Sequence, residues 1–265
     1  MISVGEALAK VRERKPLVHN ITNFVVMNTT ANALLALGAS PVMAHAEEEL
    51  EEMVRIADSV VVNIGTLDKF WINSMIKAAK LAKEYGKPLV LDPVGAGATR
   101  LRTKTALEVL KIGATIVKGN FGEISALLGE EGKTRGVDSS TYDPERAKEL
   151  ALAVAEEFST IVAVTGKVDY VSDGKRVYAV YNGHELLGRV TGTGCIVAAL
   201  TGAFVAVNDP LTSAVSSLVV FEVAAEKAAE EAKAPGTFHA KLYDWLYLLT
   251  PEDVERLKKI EVVKV

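Results

Sequence analysis

Apolar positions along this chain switch repeatedly between helical spacing and short continuous runs, and each switch marks an element. Val4, Leu8 and Val11 predict a helix over 4–14, and Leu17-Val18-His19-Asn20 reads as a strand ending in polar residues. Ala33, Leu34 and Leu37 line one side of a helix over 23–37, which Gly38 stops. A short extended piece over 40–43 and a charged helix over 47–57 follow. The run 59–63 is a β-branched strand, 68–85 a long helix stopped by Gly86, and 88–91 a strand that delivers Asp92. The same reading gives a helix over 103–111, a strand over 114–117 that delivers Lys118-Gly119-Asn120, and a helix over 124–128. A helix over 144–158 has Asp143 as its N-cap. A strand over 160–164 ends at Thr165-Gly166. Strands over 169–171 and 176–181 flank a Ser172-Asp173-Gly174-Lys175 hairpin turn. Helices over 193–207, 211–233, 238–248 and 251–259 lead to an edge strand over 260–265.

Strands alternating with helices predict an α/β fold, a mostly parallel sheet with helices on both faces. Short apolar runs such as Val60-Val61-Val62 and Leu89-Val90-Leu91 suit strands buried on both sides. No linker, repeat or low-complexity stretch divides the 265 residues, so a single domain over 1–265 is the simplest organisation. In such sheets ligands sit beyond the carboxyl ends of the strands. Asn63, Asp92, Lys118, Asn120 and Thr165 end strands and would share that rim.

Composition narrows the class. The net charge of −4 argues against a nucleic-acid partner. One cysteine excludes an internal disulfide and suits a reducing cytoplasm. The first fifteen residues form a charged amphipathic pattern rather than a signal-peptide core, and the longest nearly apolar stretch, 196–207, is too short to span a bilayer. The chain contains no glutamine, a weak pointer to a hot-growing source.

The candidate chemistry centres on Arg189-Val190-Thr191-Gly192-Thr193-Gly194-Cys195, directly ahead of the apolar run Ile196-Val197-Ala198-Ala199-Leu200. Glycines opening onto a helix N-terminus offer free N–H groups and the positive end of the dipole to an anion. Cys195 in that first turn would be an acidified thiol; a lone cysteine is otherwise most often a small buried residue. Asp92, in Asp92-Pro93-Val94-Gly95-Ala96-Gly97-Ala98, is either a turn residue or a Mg²⁺ ligand. Asn120 and Glu123 have capping-box spacing, and they could equally serve phosphate and metal beside Lys118. Gly132-Lys133-Thr134 lacks the first glycine of a Walker loop, because position 127 is Leu127. Gly95-Ala96-Gly97 lacks the third glycine of a dinucleotide fingerprint, because position 100 is Arg100.

Three N-terminal stretches, Val18-His19-Asn20-Ile21-Thr22-Asn23, Asn28-Thr29-Thr30-Ala31-Asn32-Ala33-Leu34 and Gly38-Ala39-Ser40-Pro41-Val42-Met43, closely resemble the signature of hydroxyethylthiazole kinases. Asn63-Ile64-Gly65-Thr66, Leu91-Asp92-Pro93-Val94-Gly95-Ala96-Gly97-Ala98-Thr99, Gly119-Asn120 with Glu123, Thr165-Gly166 and Val190-Thr191-Gly192-Thr193-Gly194-Cys195 continue the match in order. The resemblance implies a three-layer αβα ribokinase-like fold without a separate lid domain. It implies ATP-dependent, Mg²⁺-assisted phosphorylation of 4-methyl-5-(2-hydroxyethyl)thiazole, and a homotrimer with active sites between subunits. By the same resemblance Met43, Gly192 and Asn23 would contact the thiazole, while Lys118, Thr165, Asn120 and Gly194 would contact ATP. Asp92 and Glu123 would serve the metal, and Cys195 would stand where sugar kinases of the superfamily carry a catalytic Asp. Position 118 is usually Arg in the family; Lys supplies a point charge in place of a bidentate contact. Hydroxymethylpyrimidine kinases, pyridoxal kinases and ADP-forming hydrate dehydratases of the same fold would share the phosphate-side residues, and the stretch up to Met43 favours thiazole over them. A silent binding module is the alternative from another class.

Overall fold

The computed structural model describes residues 2–129 and 143–264; the Gly132-Lys133-Thr134 stretch lies outside them. The chain runs through α1 (Val4–Arg14), β1 (Leu17–Ile21), α2 (Met27–Leu37), β2 (Ser40–Val42), α3 (Leu50–Ile56), β3 (Ser59–Asn63), α4 (Lys69–Glu84), β4 (Leu89–Asp92), α5 (Arg100–Gly113), β5 (Ile116–Asn120) and α6 (Phe121–Leu127). It continues through α7 (Pro144–Phe158), β6 (Ile161–Thr165), β7 (Asp169–Ser172), β8 (Val177–Val180), a 3-10 turn (Glu185–Arg189), α8 (Thr193–Val205), α9 (Pro210–Glu231), α10 (Pro235–Leu248), α11 (Pro251–Leu257) and β9 (Ile260–Lys264). Among the described residues every strand joins one nine-stranded sheet of order β2-β1-β3-β4-β5-β6-β7-β8-β9. The pairs from β2 to β6 are parallel; β6 to β9 are antiparallel.

Two apolar layers sandwich the sheet. Side chains of α1, α2, α8, α9, α10 and α11 pack on one face, and those of α3, α4, α5, α6 and α7 on the other. The three-layer αβα architecture follows from strands that are apolar on both sides. The helix α8 has no polar face: every residue from Ile196 to Val205 is buried, as expected of a helix that is apolar all round. Gly202 seats it on the sheet. A Cβ there would lie 2.5 Å from Val61 Cγ2 and 2.9 Å from Val18 Cγ1, so only glycine allows this approach.

Several boundaries differ from those the pattern predicts, for local reasons. The helix expected over 23–37 begins at Met27, because the Asn23 side chain takes the Val25 N–H at 3.0 Å and folds the chain into a turn. Thr99 caps α5, which starts at Arg100 rather than 103. The strand expected to stop at 117 extends through Asn120, pairing with β6 along its whole length. Asp143 caps α7 as predicted. The 3-10 turn has no counterpart in the sequence reading.

Candidate active site

Strand alternation builds the site. On the face that receives α8, Val18, Val61, Val90, Ile116 and Ala163 form part of the apolar layer. Two residues further along each strand, on the same face, stand Asn20, Asn63, Asp92, Lys118 and Thr165. A row of apolar side chains thus gives way to a polar row at the carboxyl ends of β1, β3, β4, β5 and β6. The N-terminus of α8 comes down over it.

Five side chains and one carbonyl close into a ring. Asn23 Nδ2 donates to Asn63 Oδ1 at 2.8 Å and to Cys195 Sγ at 3.6 Å. Asn63 Nδ2 donates to Asp92 Oδ2 at 2.9 Å. Lys118 Nζ lies 3.6 Å from Asp92 Oδ1 and donates to the Gly194 carbonyl at 2.9 Å. Backbone donors fix the sense of both amides: the Gly65 N–H meets Asn63 Oδ1 at 3.0 Å, and the Val25 N–H meets Asn23 Oδ1. Each amide must therefore turn its NH₂ toward the next member of the ring. Gly65 makes room for this, since a Cβ there would stand 2.5 Å from Asn23 Nδ2.

The electrostatics follow from burial. Asp92 is wholly buried, and burial pushes its carboxyl up to about 7 against the pull of Lys118. Its Oδ1 has no hydrogen-bond partner. Burial alone would lower the Lys118 ammonium, but Asp92 and Glu123 outweigh it and hold it above its ordinary value. For Cys195 the structure corrects the sequence reading. Burial and then the Asp92 charge push the thiol above its ordinary value, so the cysteine is not acidified despite its place in the first turn of α8. No side chain caps that turn, which leaves its leading N–H groups facing the rim.

The remaining candidates take two positions. Gly192 is the residue before α8, with φ of +84°, and a Cβ on it would strike Val26 Cγ1 at 2.6 Å. Asn120 and Glu123 form a full capping box on α6, and the Glu123 carboxylate accepts from the Asn120 N–H and the Gly95 N–H, each at 2.9 Å. Thr165 pairs with Asn120 across β5 and β6. Met43 follows β2, the edge strand, which lies beside β1 and three strand spacings from β4, roughly 14 Å. The sequence sets Asn63 on the rim but not as the link between Asn23 and Asp92, and it gives no sign of Gly65 as the seat for Asn23. Alternation along β3 places Asn63 correctly, but nothing local shows which amide it meets.

The profile of the Hydroxyethylthiazole kinase family matches residues 8–252. The chain belongs to the hydroxyethylthiazole kinase family. A hydroxyethylthiazole kinase of Pyrococcus abyssi is 72% identical over 262 residues, covering 99% of both chains. One from Methanococcus maripaludis is 61% identical over 98% of both. Within the family, the solved hydroxyethylthiazole kinase protein from Pyrococcus horikoshii OT3 superposes with a TM-score of 0.93 at 66% identity over the whole of both chains. A pyridoxal kinase from Staphylococcus aureus shares the fold alone, with a TM-score of 0.65 at 17% identity over 94% of this chain and 99% of that one.

Proposed function

We propose that the chain is a kinase that transfers the γ-phosphoryl group of ATP to the primary alcohol of 4-methyl-5-(2-hydroxyethyl)thiazole, a step of thiamine biosynthesis and salvage. The reading rests on the closed ring that ties Gly194 and Cys195 to Lys118 and Asp92 beneath the uncapped start of α8. Phosphoryl transfer asks for positioning and charge neutralisation more than for covalent chemistry. The N–H groups from Gly192 to Cys195 receive the moving phosphoryl group, and Lys118 offsets its charge. Asn120, Thr165 and Gly194 line the ATP side; Asn23 and Gly192 face the thiazole.

The donor set suits Mg²⁺, which takes one or two carboxylates and completes its shell with water and phosphate oxygens. Asp92 Oδ1 is buried without a hydrogen-bond partner, 3.6 Å from the Lys118 ammonium, and Glu123 keeps lone pairs beyond the two N–H groups it accepts. Among the described residues no three His, Cys, Asp or Glu side chains gather into a cage of their own. Asp92 and Glu123 would hold the ion, directly or through its waters, and the bound ion would neutralise triphosphate charge.

Cys195 stands beside the acceptor hydroxyl. Its raised thiol makes it a reluctant base, so it assists the transfer without being required for it. Cys195→Ala is expected to keep the fold and roughly 1–10% of kcat, a smaller loss than the roughly 10²–10⁴-fold that an essential general base contributes; Cys195→Asp stays active. A folded but inactive Cys195→Asp enzyme in a coupled ADP-release assay would sink this role.

The place of Met43 just after the edge strand β2 suits service to a neighbouring subunit's site, and with it a homotrimer. Phe24 and Val25, exposed directly after Asn23, suit the same arrangement. A cytoplasmic enzyme acting as one domain over 1–265, without nucleic-acid or membrane partners, completes the proposal; no helix among the described residues is long and apolar enough to cross a membrane. The test is phosphotransfer from MgATP to hydroxyethylthiazole, hydroxymethylpyrimidine, pyridoxal and ribose. Product with the thiazole alone is expected. Product only with another acceptor would overturn the substrate, and none with any would overturn the reaction.

A further inference from the structure

A second pair of acids lies beside this ring. Asp169 opens β7 on the face that packs against α9, where Val171 meets the same apolar layer as Val219 and Val223. Its Oδ1 accepts the Gly166 N–H at 2.8 Å and so closes the turn that follows Thr165. The same carboxyl hydrogen-bonds to the carboxyl of Glu222 on α9. Both residues are buried, at 3% and 7% exposure. Two carboxyls can hydrogen-bond only while one of them keeps a proton.

The neighbours decide which one. No N–H or hydroxyl group reaches Glu222 Oε2. Glu226, one turn along α9, is already engaged by Gly183 N at 3.0 Å, Asn182 Nδ2 at 3.2 Å and Lys259 Nζ at 3.0 Å. Asp169 has the Gly166 N–H, and the Lys118 ammonium is near enough to favour its charge. Burial and the Asp169 charge push the Glu222 carboxyl well above its ordinary range. Glu222 is therefore the member that keeps the proton and donates it.

We infer that Asp169 and Glu222, sharing one proton, are positioning residues for the phosphate side of the site, holding the Thr165-Gly166 turn and keeping a single negative charge beside Lys118. This rests on the reading of Lys118 and Thr165 as ATP-side residues. It gives the buried face of α9 a part in the reaction, exerted through the turn that Asp169 holds.

Three variants test it. The amide of Glu222→Gln can donate to Asp169 as the protonated acid does. Glu222→Leu cannot donate at all, and Glu222→Asp is one methylene shorter and provides a second break in the contact where the leucine variant does not fold. Expected is a rise of about five- to tenfold in KM for ATP in the Leu or Asp variant, the equivalent of one lost hydrogen bond. KM for the thiazole stays within about twofold, and Glu222→Gln matches the wild type in both. Unchanged constants in the broken variants overturn the inference, as does a glutamine variant as impaired as they are, or a rise confined to KM for the thiazole. A wild-type enzyme that does not use ATP removes the ATP-side reading and the inference with it, a result distinct from an active wild type beside unaffected variants.

Discussion

Asp92→Asn is expected to lower kcat on the order of a thousandfold while leaving a folded protein, the scale on which removal of a buried electrostatic element acts. The substitution is isosteric, but the ring does not accept it. Asn63 points its NH₂ at position 92 because the Gly65 N–H holds its oxygen. The new amide must answer with its own oxygen and so turn its NH₂ toward Lys118. A donor then faces an ammonium where Oδ1 now lies 3.6 Å away, and the carboxylate proposed for the metal is gone. Stability is expected to fall by about 1–3 kcal/mol, the cost of a buried polar group left badly paired. The dependence on pH carries a separate sign. The folded carboxyl sits near 7, above its ordinary 3.8. Its stabilising contribution is therefore complete below about pH 4 and is lost as pH rises through 7. Melting temperatures between pH 5 and 8 should fall less steeply in Asp92→Asn than in the wild type. A variant retaining a tenth of wild-type kcat, or an unchanged slope, would contradict this account.

Lys118→Met is expected to lower kcat/KM for ATP by a hundredfold or more. The side chain is 5% exposed, so methionine fits the apolar path of the stem and removes only the charged end. Two groups lose their cation: Asp92, and the Gly194 carbonyl that now accepts from Nζ at 2.9 Å. Breaking a buried pair by removing one partner commonly costs about 3–5 kcal/mol. Here about 1–3 kcal/mol is expected, because Asp92 is already raised to about 7 and can take a proton. Urea melts at pH 6 and pH 8 check this, with the larger loss at pH 8. Activity within fivefold of the wild type would show that the ammonium does not meet the phosphates.

Much of this arrangement was legible in the sequence, and the illegible part has a physical pattern. Asn63, Asp92, Lys118 and Thr165 end apolar strands, and topology alone gathers the ends of parallel strands on one rim. Glycines ahead of an apolar run marked the start of α8. What could not be read were partners. Asn23 looked like the opening of a helix; its side chain instead bonds across to β3 and delays α2 to Met27. Glu222 looked like one more position in a long helix, since no periodicity reports that β7 brings Asp169 against it. For Cys195 local position gave the wrong sign, because the helix terminus was visible in the sequence whereas burial and the nearby Asp92 were not.

The contact of Gly202 with Val18 and Val61 lies seven residues from Cys195, about 10 Å along the helix. A helix without a solvent face has no soft side on which to shift, so α8 acts as a rigid strut whose foot is set in the core. Its tip hangs over the polar row at a height that this foot determines. Repacking around Val18 or Val61 would therefore register as altered turnover before it registered as altered affinity. In this molecule, a screen for activity is also an indirect gauge of interior volume.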